Sequence, residues 1–368
     1  MDSNTLAFFE LLRAGLWEKE ARLSQFYTID YKSIMEMAEE QSVLGLITAG
    51  IEANTNYIDS TIINIPKEWS LQFIGSTLQI EQQNKNINVY LAQLIDKLRK
   101  ADVYAILVKG QGIAQCYEKP LWRAPGDIDL LLSDTNYEKV KKVLLPLAIE
   151  VDTEYESLKH LGMKMDGGYE VELHGLLHSR LSKRVDRVID EAQIDVFNGG
   201  NVRSWMNGST SVYLPSPDND IIFVFTHILH HYYIEGIGLR QICDWCRLLW
   251  TYRESLNYGL LESRIRKAGL MSEWKAFAAL AVQYLGMPIE AMPMYSNDKK
   301  WSKKSERIID FVLTCGNFGH NRKVVSGKIS SAWYKFIDFA CHSFVFPVDS
   351  MKFFSHFVVD GLKLTITK

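Results

Sequence analysis

A short stretch near the middle of the chain places two acidic residues at the start of an apolar run. Residues 126–132 read Gly-Asp-Ile-Asp-Leu-Leu-Leu. Because successive side chains of a strand point to opposite faces, Asp127 and Asp129 face the same way while Ile128 faces a core. Two carboxylates so placed repel each other, and a divalent cation bound between them relieves the repulsion. The sequence therefore predicts a paired-carboxylate site, with Mg²⁺ or Mn²⁺ as its cation.

The residues upstream predict a strand, a glycine turn and a short helix. The strand covers Val103 to Val108, the turn is Lys109-Gly110-Gln111-Gly112, and the helix lies near residues 113–117. Backbone N–H groups at such a turn face an anion, which favours a phosphate site. Lys109 and Arg123 would add positive charge beside the phosphates, Lys109 as a point charge and Arg123 as a planar fork.

A third acidic candidate lies on a predicted hairpin further along the chain. The turn Asp166-Gly167-Gly168 separates residues 158–165 from Tyr169-Glu170-Val171-Glu172-Leu173-His174. By the period of two, Glu170, Glu172 and His174 share one face of the second strand. Either glutamate would complete a site of three carboxylates.

Helical spacing of apolar residues surrounds this α/β unit. It predicts helices over residues 4–24, 31–52 and 68–98, a further helix over 136–145, and a mostly helical chain from Leu176 to the end. We therefore expect an α+β fold, in which a small mixed sheet over residues 99–195 is flanked by helical regions at 1–98 and 196–368. The length of 368 residues is sufficient for two or three domains.

Charge and cysteine content restrict the possible partners and compartment. The 41 basic and 44 acidic residues nearly balance, which excludes a protein whose whole surface binds nucleic acid. Basic residues cluster after Lys299, however, at Lys299, Lys300, Lys303, Lys304, Arg307, Arg322 and Lys323. A polyanion or an anionic membrane surface is a possible partner there, and a solvated helical surface is the simpler interpretation.

Five cysteines in mostly apolar surroundings indicate reduced thiols in a cytoplasmic protein. Cys243 and Cys246 have redox or zinc spacing, but they lie in a helical run without a second Cys pair, so we expect neither function. No secretory signal and no apolar run of about twenty residues are present, so the sequence predicts no transmembrane segment.

Histidines in the C-terminal half offer a second candidate site. His227, His230 and His231, together with Asp244, resemble part of the ligand set of a metal phosphohydrolase. On a helix His227 shares a face with the other two histidines, and Arg240 and Asp244 form an i, i+4 pair. Further ligands at suitable spacing are missing from the sequence, so burial against the neighbouring helix is the favoured interpretation.

The acidic and glycine motifs together resemble the nucleotidyltransferase superfamily, which has a DNA polymerase beta-like fold, and within it a bacterial branch of uncharacterised nucleotidyltransferases. The residues that carry the resemblance are Lys109-Gly110, Arg123, 126–131 and 171–174. A histidine helix and a Leu-Arg-x-x-x-Asp helix extend it more weakly, so that it covers roughly residues 100–250.

The resemblance implies a Mg²⁺-dependent enzyme that moves a nucleoside monophosphate from an NTP to a hydroxyl acceptor and releases pyrophosphate. Asp127 and Asp129 correspond to the metal-binding pair, and Glu172 to the third carboxylate, which also helps to deprotonate the acceptor. Gly110 and Gln111 occupy the position of the phosphate turn, whose second residue is small in the superfamily. The implied nucleotide contacts also include Lys109, Arg123 and His174. A non-catalytic nucleotide- or metal-binding scaffold with the same fold is the alternative.

Overall fold

A mixed seven-stranded sheet lies at the centre of the chain. The structure, a computed structural model, describes residues 1–26, 28–55, 65–234, 236–317 and 328–355. The strands are β1 (Ile106–Val108), β2 (Ile128–Leu131), β3 (Ala148–Val151), β4 (His160–Met165), β5 (Glu170–His174), β6 (Val202–Asn207) and β7 (Thr210–Pro215). Their order is β3-β4-β5-β2-β1-β7-β6. The predicted α+β class with a mixed sheet is confirmed.

Helices precede, interrupt and follow the sheet. They are α1 (Ser3–Trp17), α2 (Tyr31–Glu40), α3 (Leu44–Thr55), α4 (Lys67–Lys100), α5 (Gly110–Ala114), α6 (Asp134–Leu144), α7 (Lys183–Phe197), α8 (Pro217–Ile234), α9 (Leu239–Tyr252), α10 (Tyr258–Ala268), α11 (Met271–Gln283), α12 (Lys299–Cys315) and α13 (Lys328–Val345). The long helix expected over residues 68–98 is α4, and Pro66 stands at its N-cap.

The register of the three central strands determines where the acidic residues meet. Strand β2 lies between β1, to which it is antiparallel, and β5, to which it is parallel. Asp129 is the partner of Val108 on one side and of Glu172 on the other. The predicted hairpin of β4 and β5 is present, with Met163 opposite Val171. Carboxylates that are far apart in sequence therefore occupy neighbouring strands at the same level.

The two faces of the sheet have different surroundings. Ile128, Leu130, Val171 and Leu173 pack into a core with residues of α4 and α6, as their alternation predicts. Leu131 belongs instead to the larger core, which also contains residues of α7 and α8. The face that carries Asp129 and Glu172 is thus directed toward helices of the C-terminal half.

The N-terminal helices share this larger core with the C-terminal helices. The Gln41 side chain, for example, donates from Nε2 to the carbonyl of Val312 over 3.1 Å. Residues of the predicted segments 1–98 and 196–368 therefore pack against each other, although they lie on either side of the sheet region in sequence.

Strands β6 and β7 differ from the expectation that the chain is mostly helical after Leu176. They form an antiparallel hairpin with Asn207 opposite Thr210, and β7 pairs in parallel with β1 through Tyr213 and Ile106. The helical expectation is wrong for these two strands. Val202 to Asn207 alternates between exposed and half-buried side chains, which gives a weak hydrophobic signal, but Asn207-Gly208 is a hairpin turn signal.

Helices α1 and α3 cross at glycines, which allows their backbones to approach closely. A Cβ atom at Gly15 would lie 1.8 Å from the carbonyl oxygen of Leu46, and one at Gly50 would lie 2.1 Å from that of Leu11. Because both obstacles are backbone atoms, a side-chain rotation cannot relieve the clash. We expect Gly15→Ala to lower the free energy of unfolding by at least about 1–3 kcal/mol, measured by urea denaturation.

Gly75→Ala on α4 is the matched control, because a Cβ atom there has no neighbour within 4 Å. Alanine is the better helix former, so this variant should gain about 0.5–1 kcal/mol. A Gly15→Ala protein as stable as the wild type would contradict the close crossing of α1 and α3.

Candidate active site

A cleft of about 460 Å³ lies between the acidic face of the sheet and helices α8 and α9. Its walls hold the carboxylates of Asp127, Asp129 and Glu172. Its cationic lining residues are Lys109, Arg123 and Arg240. The structure therefore brings the three predicted carboxylates into one concave site together with both cations that the sequence suggested.

Asp129 is the buried member of the acidic group. Lys109 Nζ donates to its Oδ1 over 2.9 Å, and His174 Nε2 lies 2.8 Å from the same oxygen. Burial acts to raise the pKa of Asp129, but the charge of Lys109 and the hydrogen bond from His174 outweigh it and lower that pKa. Asp129 is therefore ionised, with its charge balanced inside the protein.

Asp127 differs from Asp129, because it immediately precedes β2 and its side chain is exposed in the cleft. Partial desolvation, followed by the negative charges of Asp129 and Glu172, raises the pKa of Asp127 to about 7. This accumulation of negative charge is what a bound dication would relieve.

Glu172 lies next to two imidazoles. Its Oε2 is 3.2 Å from His160 Nε2 and 3.3 Å from His174 Nε2. Burial would raise the pKa of Glu172, but hydrogen bonds from both histidines lower it well below its ordinary value. His160 was not predicted from the sequence. It is placed by register, since β4 sets it directly opposite His174.

The turn after β1 has an unusual backbone. Lys109 has φ 57° and ψ −148°, a region that favours glycine, and it is followed by Gly110 with φ 43°. A Cβ atom on Gly110 would lie 3.2 Å from the carbonyl oxygen of Asp127. The turn therefore packs its backbone against the residue that enters β2, which holds the Lys109 ammonium beside the carboxylates.

Gln111, the residue that departs from the superfamily pattern, has its side chain in a buried network. Its Nε2 donates to Asn84 Oδ1 over 2.9 Å, and Asn84 Nδ2 donates to the carbonyls of Leu121 and Arg123. The large side chain thus fastens the turn to α4. A phosphate contact by Gln111 would have to come from its backbone.

Arg123 is also held by the protein itself. Its Nε and Nη2 donate to the two carboxylate oxygens of Asp244, each over 2.8 Å, and Tyr117 Oη donates to Asp244 over 2.7 Å. The expected i, i+4 pair of Arg240 and Asp244 is wrong, because Asp244 pairs with Arg123. Both oxygens of Asp244 are engaged, which gives no support to its role as a phosphohydrolase ligand.

Arg240 is the cation that the sequence did not assign to the site. Its Nη1 donates to the carbonyls of Ala124 and Pro125, and within the described ranges no carboxylate lies at salt-bridge distance from it. Burial, and then the charge of Arg123, lower its pKa to about 10, so it remains protonated at neutral pH. The sequence signal for Arg240 is the Leu-Arg-x-x-x-Asp pattern of residues 239–244, whose spacing predicts a pair with Asp244 instead of a place in the cleft.

The three histidines of α8 make two different kinds of contact. His227 and His231 approach each other with Nε2 atoms 3.0 Å apart, while His230 Nδ1 lies 2.7 Å from the carbonyl oxygen of Ser179. Burial, and then the charge of Lys109, keep the pKa of His227 well below its ordinary value. His227 and His231 line the cleft as neighbours of Lys109 without a ligand arrangement that includes Asp244.

The remaining sequence features lie outside the cleft. Cys243 and Cys246 are free, fully buried thiols whose pKa values are raised by that burial, which fits the expected structural role. Among the basic residues near α12, Lys300 pairs with Asp298 at 3.6 Å and Arg307 donates to the Phe344 carbonyl. Arg322 and Lys323 lie outside the described residues, and the polyanion partner stays a prediction. Within the described part of the chain, no helix has both the length and the apolar character to cross a bilayer.

Comparison with known proteins adds one match. A family model described as uncharacterised nucleotidyltransferase matches residues 27–286, more than half of the 368-residue chain. The match extends beyond residues 100–250 at both ends and includes α2 to α4, α10 and α11. Comparisons with curated proteins and with solved structures found no match. The chain therefore belongs to the family of uncharacterised nucleotidyltransferases.

Proposed function

We propose that the chain is a Mg²⁺- or Mn²⁺-dependent enzyme that transfers a nucleoside monophosphate from an NTP to a hydroxyl acceptor. The acceptor oxygen forms a bond to the α-phosphorus, the bond from that phosphorus to the bridging oxygen breaks, and pyrophosphate leaves with the electron pair. The observation that carries the proposal is the meeting of Asp127, Asp129 and Glu172 in one cleft with Lys109 and Arg240.

The acidic residues fit a hard dication. Three carboxylates from two adjacent strands face one cleft, where desolvation and then their mutual repulsion raise the pKa of Asp127. Asp127, Asp129 and Glu172 would hold the ion, which when bound neutralises phosphate charge and polarises the α-phosphate. The low pKa of Glu172 suits an ionised ligand that would also assist deprotonation of the hydroxyl, whereas the raised pKa of Asp127 marks the site where a bound ion would neutralise negative charge.

The cationic residues fit the triphosphate. Arg240 is a half-buried guanidinium without a carboxylate partner among the described residues, and Lys109 contributes an ammonium at the turn beside Gly110. A planar guanidinium matches two phosphate oxygens at once. Arg123 acts indirectly, since its fork is already bound to Asp244 and thereby fixes the segment that leads to Asp127.

A non-catalytic scaffold is the second candidate, and one contact favours it. The Lys109 ammonium already neutralises Asp129 over 2.9 Å, so the protein supplies its own cation where a dication would bind. Such a chain could bind nucleotide and still release no pyrophosphate.

The first test removes one charge at the cleft mouth. We expect Asp127→Asn to reduce pyrophosphate release from NTP with Mg²⁺ or Mn²⁺ by about 1000-fold or more, because the loss of several kcal/mol of cation binding corresponds to that factor. The measurement is a coupled pyrophosphate assay with candidate hydroxyl acceptors.

Asp134→Asn is the matched control, because Asp134 is an exposed aspartate on α6 that pairs with Lys159 away from the cleft. This variant should retain full activity. Pyrophosphate release that survives Asp127→Asn would overturn the assignment of the carboxylates.

The second test concerns the triphosphate. Arg240→Gln should raise the KM for NTP by about tenfold to 100-fold, because a charge-assisted, two-pronged contact contributes about 1.5–3 kcal/mol. Affinity for the nucleoside monophosphate should change much less. Arg187→Gln, at an exposed position on α7, is the control. Equal losses for tri- and monophosphate would show that Arg240 only supports the fold.

The third test distinguishes the enzyme from the scaffold by two measurements, thermal melting and pyrophosphate release, each with NTP and Mg²⁺ or Mn²⁺. For both the enzyme and the scaffold, we expect the melting temperature to rise by an amount that grows with the ligand concentration relative to Kd. The enzyme also releases pyrophosphate once an acceptor is supplied. Stabilisation without turnover, for every NTP and with either metal, would favour the scaffold.

A further inference from the structure

A second cavity adjoins the cleft on the imidazole side of Glu172. It has a volume of about 310 Å³ and shares Lys109, Glu172, His227 and His231 with the cleft. His160 and His174 line this second cavity and not the first. Glu172 thus lies between the carboxylates of the cleft and the imidazoles of the second cavity.

We infer that His160, Glu172 and His174 form a binding site for a Zn²⁺-like transition-metal dication, separate from the carboxylate site for Mg²⁺. The ligand atoms of the three residues lie within 4.8 Å of one another. Imidazole nitrogen is a good ligand for zinc and its neighbours in the first transition row, whereas Mg²⁺ prefers oxygen ligands and water.

The two distances from the histidines to Glu172 agree with tetrahedral coordination. For bonds of about 2.0–2.1 Å, adjacent ligand atoms of a tetrahedral ion lie about 3.3–3.4 Å apart. Glu172 Oε2 is 3.2 Å from His160 Nε2 and 3.3 Å from His174 Nε2. The two imidazole nitrogens therefore approach the same carboxylate oxygen at the separation that a shared ion requires. Coordination by His174 Nε2 would replace its 2.8 Å contact with Asp129 Oδ1, an oxygen that Lys109 Nζ also holds over 2.9 Å.

The position of the group leaves a fourth coordination place on the cavity side. Three protein ligands with one open place are the arrangement of catalytic rather than structural zinc sites. The side chains of His160 and Glu172 are 28% and 32% exposed, so solvent or a substrate oxygen can reach the ion. A water or a hydroxyl compound would complete the coordination.

Glu172 can serve both sites because its two oxygens are used differently. Both histidines contact Oε2, which leaves Oε1 for the acidic side. Asp129 neutralises the Lys109 ammonium over 2.9 Å, which reduces the repulsion between that ammonium and an ion at the histidines. The zinc site depends on these ligands alone, so it can exist whether or not the protein transfers nucleotides.

The test titrates the full-length, chelator-treated protein with Zn²⁺ by calorimetry and with Co²⁺ by visible absorption. We expect one Zn²⁺ per chain and an intense tetrahedral Co²⁺ band. His160→Gln should weaken Zn²⁺ binding by at least about 100-fold, since even residues that only orient metal ligands change affinity 10–100-fold. Excess Mg²⁺ should not displace the Zn²⁺.

His178→Gln is the matched control, because His178 lines the same cavity but bonds to Asp190, with Nε2 2.7 Å from Oδ1. It should bind Zn²⁺ like the wild type. Equal Zn²⁺ affinity in His160→Gln and wild type would overturn the site and leave the histidines as hydrogen-bond donors to Glu172. A weak, octahedral Co²⁺ spectrum from the wild-type protein would also overturn the site. This second measurement does not depend on whether a variant folds.

Asp127→Asn separates this inference from the proposed function. It should keep the Zn²⁺ affinity while nucleotide transfer is lost. If a His160→Gln protein with no Zn²⁺ bound still transferred nucleotides, the proposed function would hold and would not require the imidazole site. Zn²⁺ binding without any transfer would sustain the imidazole site alone.

Discussion

The buried negative charge of Asp129 is the constraint on which the rest of the site depends. A carboxylate inside a sheet is very unfavourable unless it is paired and hydrogen-bonded. Lys109 and His174 supply that pairing from the two strands that flank β2. The register of β1, β2 and β5 is therefore tied to charge balance, because a shift of one residue would turn Asp129 toward the apolar core.

The same requirement explains the strained turn after β1. Val108 is the cross-strand partner of Asp129, so an extended Lys109 would point to the opposite face of the sheet. The positive φ of Lys109, 57°, accompanies the turn of its side chain toward Asp129. Such a conformation costs on the order of 1–3 kcal/mol and persists where surrounding contacts enforce it. Pairing of β1 with β2 and β7 on its two sides, and the anchoring of Gln111 on Asn84, are those contacts.

Sequence reasoning succeeded where a local period decides the outcome. Alternation placed Asp129, Glu172 and His174 on one face, and it placed Val171 and Leu173 in the opposite core. It could not identify the partners of Arg123 and Arg240, because these depend on how α9 packs on the segment before β2. A spacing of four residues made Arg240 and Asp244 the obvious pair, but tertiary packing brought Arg123 to both oxygens of Asp244.

The case of His160 shows why cross-strand neighbours are harder to predict than faces. Its own strand, β4, contains no other acidic or imidazole side chain, so the sequence around it carries no site signal. Its position follows from the turn at Asp166 to Gly168, whose length sets His160 opposite His174 and Gly162 opposite Glu172. The glycine opposite Glu172 has no side chain, and a Cβ atom there would collide with the Asp152 carboxylate. The imidazole of His160, two residues before that glycine, reaches Oε2 of Glu172 over 3.2 Å. Turn length thus determines which imidazole lies on one side of Glu172, whereas strand periodicity determines which carboxylate lies on the other.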